Sequence, residues 1–145
     1  MEKDEEVVRK ALKVFETGKM EDLNDLVDPD FVEHTPEMGF TSSKKGIEYV
    51  KDLVGTYRNV LSDLKIDIKQ IVSGDNKVVV YSNFKGRNTG DLMDIPATNK
   101  EVSFDNIDIL QMKNGKVSDH WGIADNLGLM MQMGVLDEKS LHAHH

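Results

Sequence analysis

The chain predicts an α+β fold in which helices pack on one face of a curved, mostly antiparallel sheet. Three observations carry that expectation. Up to Leu61 the apolar residues recur at helical spacing, from Leu64 to Ile123 they alternate with a period of two, and the sharpest turn signals each join two alternating runs. Those signals are Gly74-Asp75-Asn76 and Asn114-Gly115, which suit tight hairpins.

In chain order, Val7, Val8, Ala11, Leu12 and Phe15 form the apolar stripe of a first helix, with Asp4, Glu5 and Glu6 at its negative-favouring end and Gly18 as its terminator. A second, short helix is expected over Met20 to Val27, stopped by Pro29. Phe31 to Thr35 reads as an extended piece, with Val32 and His34 on one face and Phe31 and Glu33 on the other. Glu37 to Ser43, including Met38 and Phe40, reads as a rim over a pocket. Ser42 or Ser43 opens the longest amphipathic helix, whose apolar side carries Ile47, Val50, Leu53, Val54, Tyr57 and Leu61.

The period-two region begins with Leu64, Ile66 and Ile68, and continues after the turn with Val78, Val80, Ser82 and Phe84 on one face. A loop from Arg87 to Asn99 follows, long enough to suggest a packed or functional rim. Lys100 to Met112 places Phe104, Asn106, Asp108, Leu110 and Met112 on one face. Its hairpin partner, Lys116 to Ile123, places His120 and Gly122 on one face and Val117, Asp119, Trp121 and Ile123 on the other. Asp125 or Asn126 caps a last short helix bearing Leu127, Met130, Met131 and Val135.

The 145 residues fit a single domain, with a core of about 5–135 and 136–145 as a flexible tail. A net charge of −8 argues against binding to nucleic acid or an anionic membrane, both of which need a concentrated positive field. The absence of cysteine removes disulfides, thiolate metal sites and a Cys nucleophile, and fits a reducing cytoplasm. No apolar run is long enough to span a bilayer, and the acidic start MEKDEEVVRK is unlike a signal peptide.

Chemistry is expected where the last hairpin brings Asp108 and His120 together, because a carboxylate beside an imidazole can orient it or exchange a proton with it. His34 is the third ionisable candidate, and Tyr57, Phe104, Asn106, Leu110, Gly122 and Met38 are candidate ligand-contacting residues. No metal is expected, since neither His34 nor His120 has a second ligand at helical spacing. Nucleophile-elbow, Walker and dinucleotide-binding motifs are absent from the sequence.

Several stretches taken together resemble the SnoaL-like polyketide cyclases, which have the cone-shaped α+β fold named after nuclear transport factor 2. They are Asp28-Pro-Asp-Phe-Val-Glu-His34 with the following Thr-Pro, Lys45-Gly-Ile, Ser62-Asp-Leu, Thr89 to Thr98, Ile107-Asp-Ile, and Asn114-Gly-Lys-Val-Ser-Asp-His-Trp121 leading into Asp125-Asn-Leu-Gly-Leu. The resemblance implies a deep apolar pocket, a homodimer packed through its sheets, a small apolar ligand, and acid–base closure of a polyketide ester by an Asp with assisting histidines and no cofactor. His34 and Asp108 match polar pocket positions of that family. Two residues after His120, where the family carries its catalytic Asp, this chain has Gly122. That leaves two main readings open: an enzyme using His34, Asp108 and His120 to cyclise, isomerise or hydrolyse a carbonyl compound, and a non-catalytic protein that binds a small ligand in the same pocket. A structural cone acting through sheet-mediated association is a third.

Overall fold

The computed structural model describes residues 2–37, 40, 42–136 and 139. Its frame is a five-stranded sheet in the order β1-β5-β4-β3-β2, built from β1 (Val27–Glu33), β2 (Leu61–Gly74), β3 (Lys77–Asn88), β4 (Glu101–Lys113) and β5 (Lys116–Ala124). The four long strands pair antiparallel, as their alternation predicts, and β1 adds to the edge parallel to β5. Both hairpin turns hold two successive residues at positive φ, Asp75-Asn76 and Asn114-Gly115, the backbone that matches strand twist in a two-residue connection.

Helices α1 (Glu2–Thr17) and α2 (Ile47–Val60) lie against the inner face of the sheet, and α3 (Asn126–Gln132) closes one end. The inner face carries Val78, Val80, Ser82 and Phe84 from β3 and Val102, Phe104, Asn106 and Met112 from β4, all buried. Around them, Val8 and Val14 of α1 and Val50 and Val54 of α2 complete one core cluster. A second gathers Val60, Leu61, Phe84, Phe104, Leu129 and Met133. Between Asn88 and Glu101 the rim is packed: buried Asn88 binds Val60 O, Gly90 O and the Thr98 amide and hydroxyl, and Leu92 bridges Ile95.

Four expectations need correction. The short helix after Gly18 is a 3₁₀ turn, Met20–Asp25, and Val27 already belongs to β1. Pro29 interrupts nothing there. It lies within an edge strand, where register shifts between Val27 and Val32 and a missing N–H is tolerated. α1 is longer than α2, at 16 against 14 residues, because Ser42 to Lys45 stay outside the helix and Leu61 starts β2.

The third correction concerns β5, where Gln111 pairs Asp119 but Met112 pairs Val117, so Ser118 is an extra residue. This bulge turns Val117 to the buried side, while Asp119, Trp121 and Ile123 stay on the outer face. Fourth, in α3 and the turn after it the buried residues are Leu129, Met130 and Met133, while Leu127, Met131 and Val135 are exposed. The Asp125 side chain does cap that helix, accepting from the Gly128 amide at 2.9 Å. Among the described residues no helix is long and apolar enough to cross a membrane.

Candidate active site

Three neighbouring strands place their polar residues in one patch of the inner face. In the β1–β5 register Glu33 lies opposite His120, and in the β4–β5 register Asp108 lies opposite Gly122. The His120 ring is held at both ends. Its Nδ1 is 2.8 and 2.7 Å from the two Glu33 carboxylate oxygens, and its Nε2 is 2.7 Å from Asp108 Oδ1. All three side chains are buried or nearly so, at 11, 6 and 15% exposure for His120, Glu33 and Asp108.

A neutral imidazole has a single N–H, so it cannot donate to two carboxylates at once. The geometry therefore requires either an imidazolium or a proton on one of the acids. Burial alone disfavours the cation, but the hydrogen bonds and negative charge of Asp108 and Glu33 outweigh it and raise the His120 pKa to about 10. At neutral pH the ring is thus a fixed cation bridging two acids.

Around this bridge stand further ionisable groups from the segment after β1 and from α2. Burial and the nearby charge of Asp108 push the Glu37 carboxyl up, opposed by the His120 cation and a hydrogen bond from Tyr57. Burial, with Glu37 and Asp108 beside it, holds the Tyr57 phenol well above its ordinary value. The Tyr49 phenol is pushed to about 12 by burial and by Glu33 and Glu37, and its buried hydroxyl has no hydrogen-bond partner among the described residues. The same holds for the amide nitrogen of Asn106, two residues before Asp108 on the same face.

Glu33, Glu37, Tyr57, Asn106, Asp108 and His120 line one wall of a cavity whose other walls are apolar, formed by Val8, Leu12 and Phe15 of α1, Val50 and Leu53 of α2, and Leu110 of β4. An adjoining lobe runs toward Phe104, Leu129 and Met133, and Glu37, Leu53 and Tyr57 border both spaces. Among the described residues no group of three His, Asp or Glu is arranged to hold a metal ion.

Of the residues singled out in the sequence, Asp108 and His120 are in direct contact, Asn106, Leu110 and Tyr57 line the same cavity, and Phe104 and Tyr57 line its second lobe. Gly122 lies against the Asp108–His120 contact, and Met38 falls outside the described residues. His34 does not join them. It points to the outer face, with its Nε2 2.8 Å from Asp119 and its ring stacked at 4.3 Å on Trp121. The two faces of β1 divide as the alternation predicts, and it is Phe31 and Glu33 that turn inward, with Val32 and His34 outward.

Glu33, Glu37 and Tyr49 were not anticipated as site residues. The signal for Glu33 lay in Phe31, the largest apolar residue of the strand; choosing its side as the inner one places Glu33 inward two residues later. Thr35 was also missed, and its hydroxyl accepts the Gly122 amide at 2.7 Å, tying the end of β1 to β5.

An apolar cavity under a helix-covered curved sheet, with an imidazole held between two carboxylates in its wall, defines a cone-shaped α+β protein with a buried cluster of ionisable groups. Residues 5–133 match the SnoaL-like polyketide cyclase family, and the chain belongs to it. It is 27% identical over 140 residues to aklanonic acid methyl ester cyclase DauD of Streptomyces sp. (strain C5), covering 89% of this chain and 80% of that one. It is 26% identical over 125 residues to the nogalonic acid methyl ester cyclase of Streptomyces nogalater, covering 85 and 91%. Among solved structures, TsrD from Streptomyces laurentii superposes with a TM-score of 0.79 at 25% identity, over 90% of this chain and 96% of that one. A SnoaL-like polyketide cyclase from Agrobacterium tumefaciens, at 16% identity and a TM-score of 0.75 over 90 and 98%, shares the fold.

Proposed function

We propose that the protein is an acid–base enzyme that cyclises or isomerises a neutral, largely apolar carbonyl compound of the polyketide-ester kind. The observation that carries this reading is the His120 ring held through both nitrogens by Glu33 and Asp108 in an otherwise apolar cavity. With Asp108 Oδ1 bonded to the imidazolium, Oδ2 is the oxygen left to take a proton from the carbon next to a carbonyl. The enolate formed carries its charge on oxygen, where the Asn106 amide, with no partner among the described residues, can donate a hydrogen bond. Ring closure then consists of attack by the enolate carbon on a second carbonyl of the same molecule, and the alkoxide takes the proton that Asp108 accepted. The scheme consists of proton transfers and one carbon–carbon bond formation, and calls for no cofactor.

The site also favours an esterified substrate over a free acid. Glu33 and Asp108 face a single cationic ring, so a further carboxylate entering the cavity would meet net negative charge. Names of the relatives point the same way, as both act on methyl esters. The test is turnover with a panel of polyketide methyl esters and their free acids. Asp108→Asn is expected to lower turnover by roughly 10²-fold or more, the usual contribution of a positioned acid or base. An unchanged rate in that variant would remove Asp108 from the chemistry.

The competing reading, a ligand-binding protein without catalysis, drew on the glycine at position 122. It loses that support because the Asp108 carboxylate stands directly against Gly122. We further propose that the outer face, with Ile107, Ile109 and Ile123 exposed near Trp121, pairs with a second copy of the chain. Light scattering is expected to give the mass of a dimer, and a strictly monomeric mass at high concentration would refute the pairing.

A further inference from the structure

Gly122 has no conformational reason to be glycine, since it is not among the residues at positive φ. Its reason is space. A Cβ built on it would overlap Asp108 Oδ1 and come within 2.8 Å of both Cε1 and Nε2 of His120, closer than real Cβ contacts allow. Neither the strand nor the ring has an easy way to withdraw. The Gly122 amide is held by the Thr35 hydroxyl at 2.7 Å, and the far side of the ring is held by Glu33. The Asp108 carboxylate is the end of a side chain and is the part free to move.

We infer that Gly122 is a positioning residue: by carrying no side chain it reserves the volume beside His120 for the Asp108 carboxylate, so that 108 and 122 are alternative anchor points for one carboxylate. The register supports this directly, because the two residues are opposite each other on neighbouring strands and aim at the same point. A side chain at 122 and an aspartate at 108 exclude one another. The proposal deepens the acid–base reading above, but only its turnover arm rests on that reading.

Nuclear magnetic resonance of the His120 ring separates the possibilities. The ionisable groups that touch the ring or line the cavity beside it are Glu33 from β1, Glu37 from the segment after it, Tyr57 from α2, and Asp108 from β4. Only Asp108 is displaced by a group at 122. Gly122→Ala is therefore expected to cut the proton affinity of His120 about tenfold or more, and to match the effect of Asp108→Ala. On an Asp108→Ala background, Gly122→Ala should change the titration no further, because the hydrogen bond it breaks is already gone. The exchange variant, Gly122→Asp with Asp108→Gly, should restore the high affinity from the opposite strand.

An unchanged His120 titration in Gly122→Ala would overturn the proposal, as would additive effects of the two alanines. So would an exchange variant that titrates like Asp108→Ala or fails to fold. In turnover, Gly122→Asp alone crowds two carboxylates into one volume and should lose activity, and the exchange variant should regain it. If no carbonyl compound is turned over by the unaltered protein, the acid–base reading fails while the titration still decides the role of Gly122.

Discussion

Two histidine–carboxylate pairs stand back to back on the same two strands. Inside, His120 of β5 meets Glu33 of β1 at 2.7 Å; outside, His34, which follows β1, meets Asp119 of β5 at 2.8 Å. The residues are sequence neighbours, so each strand contributes the acid to one pair and the base to the other. Contact length does not distinguish them. Exposure does, at 11 and 6% for the inner pair against 36 and 24% for the outer one. The inner ring also has a second acid, Asp108, at its other nitrogen, whereas the outer ring lies flat on Trp121 at an interplanar angle of 5°. Only the inner pair leaves charge out of water, and so only there does each partner depend on the others remaining in place.

The strongest way to break that comparison is to remove the inner cation. His120→Gln keeps a side chain of similar reach but leaves Glu33 and Asp108 as two buried acids without a positive partner. The expected cost is about 3–5 kcal/mol of stability, the usual penalty for unpairing buried charge, read as a shift in the denaturation midpoint. Retention of wild-type stability would mean that the acids are protonated and the bridge is not ionic.

A smaller effect follows from pH. The folded pKa of His120, about 10, lies above the ordinary value of 6.5. The folded state therefore holds a proton that the unfolded chain releases, so the contribution is fully present below about 6.5 and lost as the pH rises through about 10. The sign is opposite for the outer pair. There the hydrogen bonds from His34 and Ser118 lower the Asp119 carboxyl below its usual 3.8, and its contribution is lost only on acidification through that lowered value. Thermal midpoints between pH 6.5 and 10.5 should fall in the unaltered protein and fall less steeply in His120→Gln. Parallel slopes would assign the loss to other groups.

The contrast also marks what a sequence can reveal. The hairpins were legible because Leu64 to Ile68 alternates and Val78 to Phe84 and Phe104 to Met112 keep an apolar residue at most positions of one face, around turns that need positive φ. With the β4–β5 hairpin came the meeting of Asp108 and His120, a matter of register alone. β1 was different. Phe31 and Val32 are adjacent and both apolar, so period two fits either face, and the inward side is decided by the packing of Phe31 against Tyr49 in α2. Glu33 was hidden by that ambiguity. Val117 was misplaced by the bulge at Ser118, since one inserted residue reverses faces without altering composition. The place of Glu37 depends on its hydrogen bond with Tyr57 of α2, a long-range contact without local periodicity.

The smallest effect is expected at the outer pair, and it tests whether burial rather than contact length governs the difference. His34→Ala removes a hydrogen bond to Asp119 and a ring stacked on Trp121, yet both acid and base are partly in water and can be solvated when separated. An exposed ion pair contributes about 0–1 kcal/mol, and the stacking adds about 0.5–1.5 kcal/mol, so the total loss should stay near 1 kcal/mol. Turnover should be nearly unchanged, because the side chain lies on the opposite face of the sheet from Asp108 and the cavity. A fall in rate comparable with that of Asp108→Asn, at preserved stability, would show that the outer histidine reaches the chemistry through β1. It would then no longer be separable from the inner one, and the shared strands would have to be treated as a single relay from Asp119 to Asp108.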